Sequence, residues 1–289
     1  DLSAHLKLID QVYNQIDERY EEQKIKRKQV HYQANELICK LENADKQALH
    51  VVFRVSNHDI AFRYHVPQSG EAANFYIEEE MSAFKFPNLT TTFLTPQAPA
   101  MSGWMKTKPS YEEEYTADEQ LGVRSKYGLG YTFPGLFHVG DRGWVLVSET
   151  GVGALYCGSK LSEGTKDGQY QIAFPELGEN NGIGSAQPAI ALPGNTPWRT
   201  LTVGNTLKPI VETTIAFDVV EPLYKPSKPY TFGRSTWSWL EWQDGSINFE
   251  DQKKFVDLSA AMGYEFVLVD NWWDSKIGRD KIEALIAYG

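Results

Sequence analysis

A carboxylate and two indoles stand together in the segment Asp270-Asn-Trp-Trp-Asp274, directly after a short apolar run. A carboxylate accepts hydrogen bonds from hydroxyl groups, and the flat apolar face of an indole packs against the C–H face of a sugar ring. Asp270 with Trp272 or Trp273 is therefore a candidate sugar-binding site. The alternative is that Asp270 caps the following loop while the tryptophans fill the rim of the fold.

Three further side chains could take part in binding. Trp237 and Trp239 are separated by one serine, so on a strand they point to the same face, where they either fill the interior or line a pocket. Glu149 follows the apolar strand predicted over 143–147. It either caps a loop or supplies an oxygen to a metal ion such as Ca²⁺, which prefers carboxylate ligands. The six histidines are scattered and show no metal-ligand spacing.

The composition restricts the class of partner. With 38 acidic against 28 basic residues the net charge is −10, which argues against a nucleic-acid partner. No run approaches the roughly 18 apolar residues that span a bilayer, so no membrane span is expected. The two cysteines, Cys39 and Cys157, have no metal-binding spacing and are expected to be thiols, with a disulfide as the alternative.

The predicted secondary structure differs between the first and last parts of the chain. Residues 1–220 are predicted to form a large, mostly antiparallel N-terminal β-sandwich, because many short strands with period-two patterning are separated by Gly, Pro and Asn clusters. The first stretch, residues 2–33, shows no clear period and is predicted to be irregular. The predicted strands are 36–41, 50–55, 60–66, 74–77, 143–147, 170–174, 198–203 and 213–217.

A proline-rich segment separates this part from the rest. Residues 221–230 contain three prolines and predict a stiff linker. Beyond it we expect a strand over 231–240, a helix capped by Asn248 and ended by Gly263, an apolar strand over 264–269 and a second helix. Strand, helix, strand, helix is the start of a parallel α/β fold. Two such units cannot close a barrel, so their strands should present open edges.

Several segments, in order along nearly the whole chain, resemble glycoside hydrolase family 97. They are His58-Asp-Ile-Ala-Phe-Arg-Tyr64, the strand leading into Glu149, Tyr156-Cys-Gly-Ser159, Pro197-Trp-Arg199, Phe232-Gly-Arg-Ser-Thr-Trp-Ser-Trp239 and the run from Asp257 to Trp273. The resemblance implies that residues 231–289 are the first two βα units of a (β/α)₈ catalytic barrel, truncated at about a quarter of its length.

The resemblance also implies an activity. Members of the family are exo-acting α-glycosidases, of α-glucosidase or α-galactosidase type, which cleave terminal α-linked sugars with a Ca²⁺ ion in the active site. The family's sandwich contributes one calcium-binding glutamate, and Glu149 matches it best. The substrate contacts implied here are Asp270, Trp272, Trp237 and Trp239. The partner is then an oligosaccharide or α-glycoside, and the barrel start is more similar to the retaining, galactosidase-like branch.

The catalytic carboxylates of this family lie in later barrel strands, so we assign none here and expect the isolated chain to be inactive. We expect both ends to be truncated, and the family implies a periplasmic or secreted protein. Two other hypotheses stay open: a non-catalytic carbohydrate-binding β-sandwich, and a member of another sandwich-plus-barrel enzyme family without a calcium requirement.

Overall fold

The computed structural model describes residues 2–22, 25–99, 113–178, 184–224 and 226–289. The chain divides into two compact units, Asp1–Glu221 and Pro222–Gly289, and each is described by itself. Residue 225, within the segment predicted as a linker, lies outside the described residues. In the described ranges no helix is long and apolar enough to cross a bilayer.

The first unit is built from strands with two short helices near its end. The strands are β1 Lys7–Glu21, β2 Gln29–Glu42, β3 Ala48–Val55, β4 Asp59–Val66, β5 Asn74–Tyr76, β6 Ala83–Lys85, β7 Thr90–Phe93, β8 Glu119–Gln120, β9 Gly135–Val139, β10 Trp144–Thr150, β11 Lys160–Leu161, β12 Gln169–Ala173, β13 Ala189–Ala191, β14 Gly194–Asn195 and β15 Trp198–Gly204. The helices are α1 Leu207–Glu212 and α2 Ile215–Asp218.

One large sheet dominates this unit. Its strand order is β1-β2-β3-β4-β15-β10-β9-β7-β8, with β14 also paired to β4, and each of these pairs is antiparallel. A three-stranded sheet, β11-β12-β6, packs on one face. Phe137 and Val147 of the large sheet and Leu161 and Tyr170 of the small sheet share one buried apolar cluster. The prediction of a mostly antiparallel, layered β-structure is confirmed.

Helix α2 and the residue that follows it cover part of the opposite face of the large sheet. Trp198 on β15 packs there with Ala61 of β4 and with Ile215 and Val219 of the α2 region. Because successive residues on a strand point to opposite faces, Arg199 is directed toward the other side of the sheet.

The prediction of irregular structure at the N-terminus was wrong. β1 runs for 15 residues and pairs with β2 from Lys7↔Glu42 to Glu21↔Gln29. Most of its side chains are exposed, and only Val12, Ile16 and Tyr20 are half-buried. An edge strand exposed in this way carries little apolar alternation, because the backbone ladder to β2 holds it in place.

The prediction of a strand over 213–217 was also wrong, because helix α2 begins within this segment. The hydroxyl of Thr213 accepts a hydrogen bond from the Ile215 amide at 3.2 Å, and the hydroxyl of Thr214 donates to Asp218 at 2.8 Å. Threonine is common in strands, yet these local side-chain hydrogen bonds favour a helical turn. The two cysteines, Cys39 and Cys157, are thiols as predicted.

The second unit alternates strands and helices. Its elements are β16 Ser235–Trp237, α3 Trp239–Trp242, α4 Phe249–Met262, β17 Phe266–Leu268 and α5 Arg279–Tyr288. β16 and β17 are parallel, with Ser235↔Phe266 and Trp237↔Leu268 as partners. The predicted cap of α4 is confirmed, because the Asn248 side chain accepts from the Asp251 amide at 2.9 Å and Gly263 ends the helix at φ 64°.

The strand predicted over 231–240 is shorter than expected, because α3 begins at Trp239. The burial expected for the apolar strand is also not found. Phe266 and Leu268 on β17 are 43% and 42% exposed. The two strands thus present apolar surface and open edges within the described chain, as expected of a parallel sheet with only two strands.

Candidate functional site

The first unit carries a candidate site around a charged pair on the large sheet. Glu149 and Arg199 are direct partners across the β10–β15 ladder. Directly opposite residues of an antiparallel pair point to the same face, so the two side chains meet. Arg199 Nη1 donates to Glu149 Oε2 at 2.5 Å.

A second carboxylate holds the rest of the guanidinium. Arg199 Nε donates to Glu80 Oε1 at 3.0 Å, and Nη2 donates to Glu80 Oε2 at 2.5 Å, which makes a two-bond fork. The hydroxyl of Tyr156 donates to Glu80 Oε2 at 3.3 Å. Side-chain exposure is 0% for Arg199, 4% for Glu80 and 11% for Glu149. This is a buried ionic cluster with Glu149 at its most accessible end.

Burial acts to lower the pKa of Arg199, but hydrogen bonding and charge from Glu80 outweigh it and hold the pKa above its ordinary value. Burial, and after it the charge of Glu80, raises the pKa of Tyr156 above its ordinary value. Arg199 therefore stays a cation and Tyr156 a neutral hydrogen-bond donor at neutral pH.

Glu149 keeps capacity to bind a further group. Its Oε1 accepts one hydrogen bond from the Ser159 amide at 2.8 Å, and its Oε2 accepts the bond from Arg199. A carboxylate offers about four acceptor positions, so both oxygens retain lone pairs. The cluster contains two carboxylates and one guanidinium, and this arrangement leaves one excess negative charge.

These features fit a cation ligand only in part. Ca²⁺ takes six to eight oxygen ligands. Within the described ranges no group of three His, Cys, Asp or Glu side chains could hold a metal ion. Glu149 can thus supply an oxygen to a calcium ion, but the described residues do not complete a site.

The second unit carries a separate candidate site. Trp237 ends β16, and Asp270 follows β17 by two residues. Because the two strands are parallel, their C-terminal ends meet at one edge, and Trp237 Nε1 donates to Asp270 Oδ2 at 2.9 Å. The Asn271 amide donates to Asp270 Oδ1 at 2.6 Å. Each oxygen of Asp270 thus accepts one hydrogen bond and retains a lone pair.

The predicted tryptophans have different environments. The rings of Trp237 and Trp239 are stacked, with centroids 5.8 Å apart and planes at 23°. Trp239 Nε1 donates to Asp244 at 2.8 Å. Trp272 adopts φ 66°, and the Lys276 ammonium lies 4.5 Å from its ring centroid. The structure therefore brings Trp237, Trp239 and Asp270 together, while Trp272 contacts Lys276.

Sequence reasoning missed Arg199 and Glu80. One signal was available for Arg199: an arginine inside a strand whose neighbours are apolar or threonine requires a buried partner, and Glu149 ends another predicted strand. Glu80 stands in the acidic run Glu78-Glu-Glu80, and nothing in that run distinguishes the buried glutamate from the exposed ones.

Comparison with known proteins gives the family. The model of the glycosyl-hydrolase 97 N-terminal domain matches residues 1–222. The chain belongs to glycoside hydrolase family 97. The predicted resemblance is thereby confirmed over the sandwich.

The relatives of this chain are glycosidases. The chain is 24% identical over 280 residues to a probable retaining alpha-galactosidase of Streptomyces bingchenggensis, and the match covers 94% of this chain and 39% of that protein. It is 56% identical to a beta-arabinopyranosidase of known crystal structure, with TM-score 0.92 over 98% of this chain and 45% of that one.

A family 97 enzyme of Pseudoalteromonas sp. strain K8, solved as a variant with panose, has the same fold at 19% identity and TM-score 0.75. That match covers 98% of this chain and 45% of the Pseudoalteromonas chain. The present chain thus spans less than half the length of these relatives.

Proposed function

We propose that this chain is the N-terminal part of an exo-acting, retaining glycosidase that removes terminal galactose-like sugars. The observation that carries the proposal is the 56% identity to a beta-arabinopyranosidase, together with the match to a probable retaining alpha-galactosidase. β-L-Arabinopyranose has the ring stereochemistry of α-D-galactopyranose and lacks only the C6 hydroxymethyl group. One binding site can therefore accept both sugars, and we include both as substrates.

Residues 231–289 are proposed to be the first two βα units of a (β/α)₈ barrel, with 221–230 as the linker and 1–220 as the sandwich. The parallel pairing of β16 with β17 supports this, because barrel strands are parallel. The exposure of Phe266 and Leu268 is a second argument, since further barrel elements would bury such strands.

Asp270 and the tryptophans are proposed to form part of the sugar subsite. In barrel enzymes the active site lies at the C-terminal ends of the strands, where Trp237 and Asp270 meet. Asp270 retains a lone pair on each oxygen for sugar hydroxyls, and its bond to Trp237 fixes its orientation. Trp239 and Trp272 are proposed to contact the apolar face of the bound sugar.

Glu149 is proposed to be one ligand of a Ca²⁺ ion in the whole enzyme. The support is its free acceptor capacity and the excess negative charge of its cluster. When bound, the ion would polarise a substrate oxygen as a Lewis acid. The role of this chain's residues is to hold Glu149 in place with its hydrogen-bonding partners.

The acid and the nucleophile are proposed to lie beyond this chain, about 5 Å apart as retention requires. No catalytic step is therefore assigned to these 289 residues. A periplasmic or secreted location is proposed from the family resemblance, and fractionation of the source cells would test it.

The test is release of nitrophenol from nitrophenyl glycosides by the whole protein that contains this chain, with added calcium and again with chelator. We expect calcium-dependent release from the α-galactoside or the β-L-arabinopyranoside. The 289-residue chain serves as the matched control and should give no release above background. Absence of release by a folded whole protein would contradict the proposal and favour a carbohydrate-binding module. Release that chelator leaves intact would overturn the calcium requirement alone.

A further inference from the structure

The structure assigns Arg199 a positioning role: held in a fork by Glu80, it fixes the orientation of Glu149 toward the calcium ion. This inference rests on the proposed function, because it takes Glu149 as a ligand. Arg199 cannot itself bind the calcium ion, because it is a cation and its side chain is fully buried.

The geometry constrains the guanidinium first. Two of its N–H groups are bound to Glu80, and the Glu80 carboxylate is in turn bound by the hydroxyl of Tyr156. A planar guanidinium with two bonds to one carboxylate cannot rotate without breaking both. The two N–H groups on Nη1 thus point in defined directions, and Glu149 Oε2 accepts from one of them.

Glu149 is then fixed at both oxygens. Oε2 is bound by Arg199, and Oε1 is bound by the backbone amide of Ser159. A glutamate with free rotamers loses conformational entropy when it binds a metal, and this cluster removes that cost before binding. Glu149 is also the more exposed of the two carboxylates, with 11% of its side chain exposed against 4% for Glu80.

Lysine is the informative replacement for Arg199. Arg199→Lys keeps the positive charge but cannot bridge two carboxylates with three directed bonds, because an ammonium is a point donor on a flexible stem. A role as counter-charge alone would survive this change, whereas a positioning role would not.

The experiment measures calcium affinity by titration calorimetry on the chelator-treated whole protein, with urea unfolding measured in parallel. We expect Arg199→Lys to raise the calcium Kd by about 10- to 100-fold, the usual effect of losing a group that orients a metal ligand. Arg54→Lys is the matched control, because Arg54 pairs with Glu36 at 2.8 Å on the same sheet. It should leave the Kd within about twofold, well below the effect expected at Arg199.

Two further variants distinguish failure of the ligand role of Glu149 from failure of the positioning role of Arg199. Glu149→Gln should abolish calcium binding at this site; if its Kd equals that of the wild type, Glu149 is no ligand and the calcium part of the proposed function fails. If Glu149→Gln loses calcium while folded Arg199→Lys binds it normally, the positioning role alone is overturned. Should Arg199→Lys not fold, Glu80→Gln loosens the fork with a smaller change. A Kd unchanged in Glu80→Gln would then contradict the inference.

Discussion

Trp237 and Asp270 are joined by a hydrogen bond of 2.9 Å at the C-terminal edge of the parallel strand pair. The bond connects the end of the first strand of the second unit to the residue that follows its second strand. An indole N–H that donates to a carboxylate holds the acidic group in place without neutralising it. Asp270 is thus oriented before any ligand binds.

Asp270→Asn should therefore lower kcat/KM of the whole protein by about 100-fold, since hydrogen bonds from sugar hydroxyls to a charged acceptor contribute about 1.5 to 3 kcal/mol each. The measurement is steady-state hydrolysis of a nitrophenyl glycoside. Asp274→Asn is the control, because Asp274 is exposed in the same segment, and it should keep kcat/KM within about twofold. Equal effects of both variants would contradict the role of Asp270.

Arg199→Met should destabilise the protein by about 3 to 5 kcal/mol, because it leaves Glu80 and Glu149 buried without their cation. Urea unfolding followed by tryptophan fluorescence measures the loss. Lys85→Met removes an exposed pair with Asp167, whose side chains are 61% and 64% exposed, and should leave the free energy of unfolding almost unchanged. A loss at Arg199 as small as that at Lys85 would mean that the buried cluster contributes nothing.

Tyr32→Phe should leave the free energy of unfolding unchanged or raise it by up to about 1 kcal/mol. The Tyr32 hydroxyl is buried and has no hydrogen-bond partner among the described residues, so its removal avoids a desolvation cost. Tyr20→Phe is the matched change, because the Tyr20 hydroxyl donates to Asp218 at 2.7 Å, and it should cost about 1 to 3 kcal/mol. Thermal unfolding of both variants checks the contrast, and a clear loss in Tyr32→Phe would refute it.

Tyr32 also makes the free energy of unfolding depend on pH. Burial raises the pKa of Tyr32 to about 12, above the ordinary value near 10. Because the folded state releases this proton less readily than the unfolded state, ionisation of Tyr32 favours unfolding. The free energy of unfolding is unaffected by this group below pH 10 and falls as the pH rises through about 12. Unfolding free energies measured between pH 9 and pH 12 should therefore fall less steeply in Tyr32→Phe than in the wild type. Parallel curves would show that Tyr32 does not contribute.

Local sequence signals predicted part of this fold well. Asn248 and Gly263 define the ends of α4 through their own side-chain and backbone chemistry, so their roles can be read without tertiary contacts. β3 and β4 are half-buried, and their apolar alternation reflects that. β1 is mostly exposed and has no such pattern, and the threonines before α2 favour a helix through bonds to residues that follow them.

The candidate functional residues differ in how far the sequence could predict them. Asp270 and Trp237 were predicted as binding residues because aromatic and acidic residues cluster after short strands, and the structure joins them by a hydrogen bond. Arg199 and Glu80 are 119 positions apart, and their pairing depends on how the segment before β6 lies against the large sheet. Such a contact is set by packing of distant segments, which composition and spacing do not encode.

The most direct test of the proposed substrate class is the ratio of kcat/KM for galacto- and gluco-configured substrates of the whole protein. We expect kcat/KM for nitrophenyl α-D-galactopyranoside or β-L-arabinopyranoside to exceed that for the α-D-glucopyranoside by at least about 100-fold. A site that hydrogen-bonds a hydroxyl in one orientation leaves its buried polar groups unpaired with the other epimer. A preference for the glucoside, or equal rates for all three, would contradict the proposed specificity for galactose-like sugars.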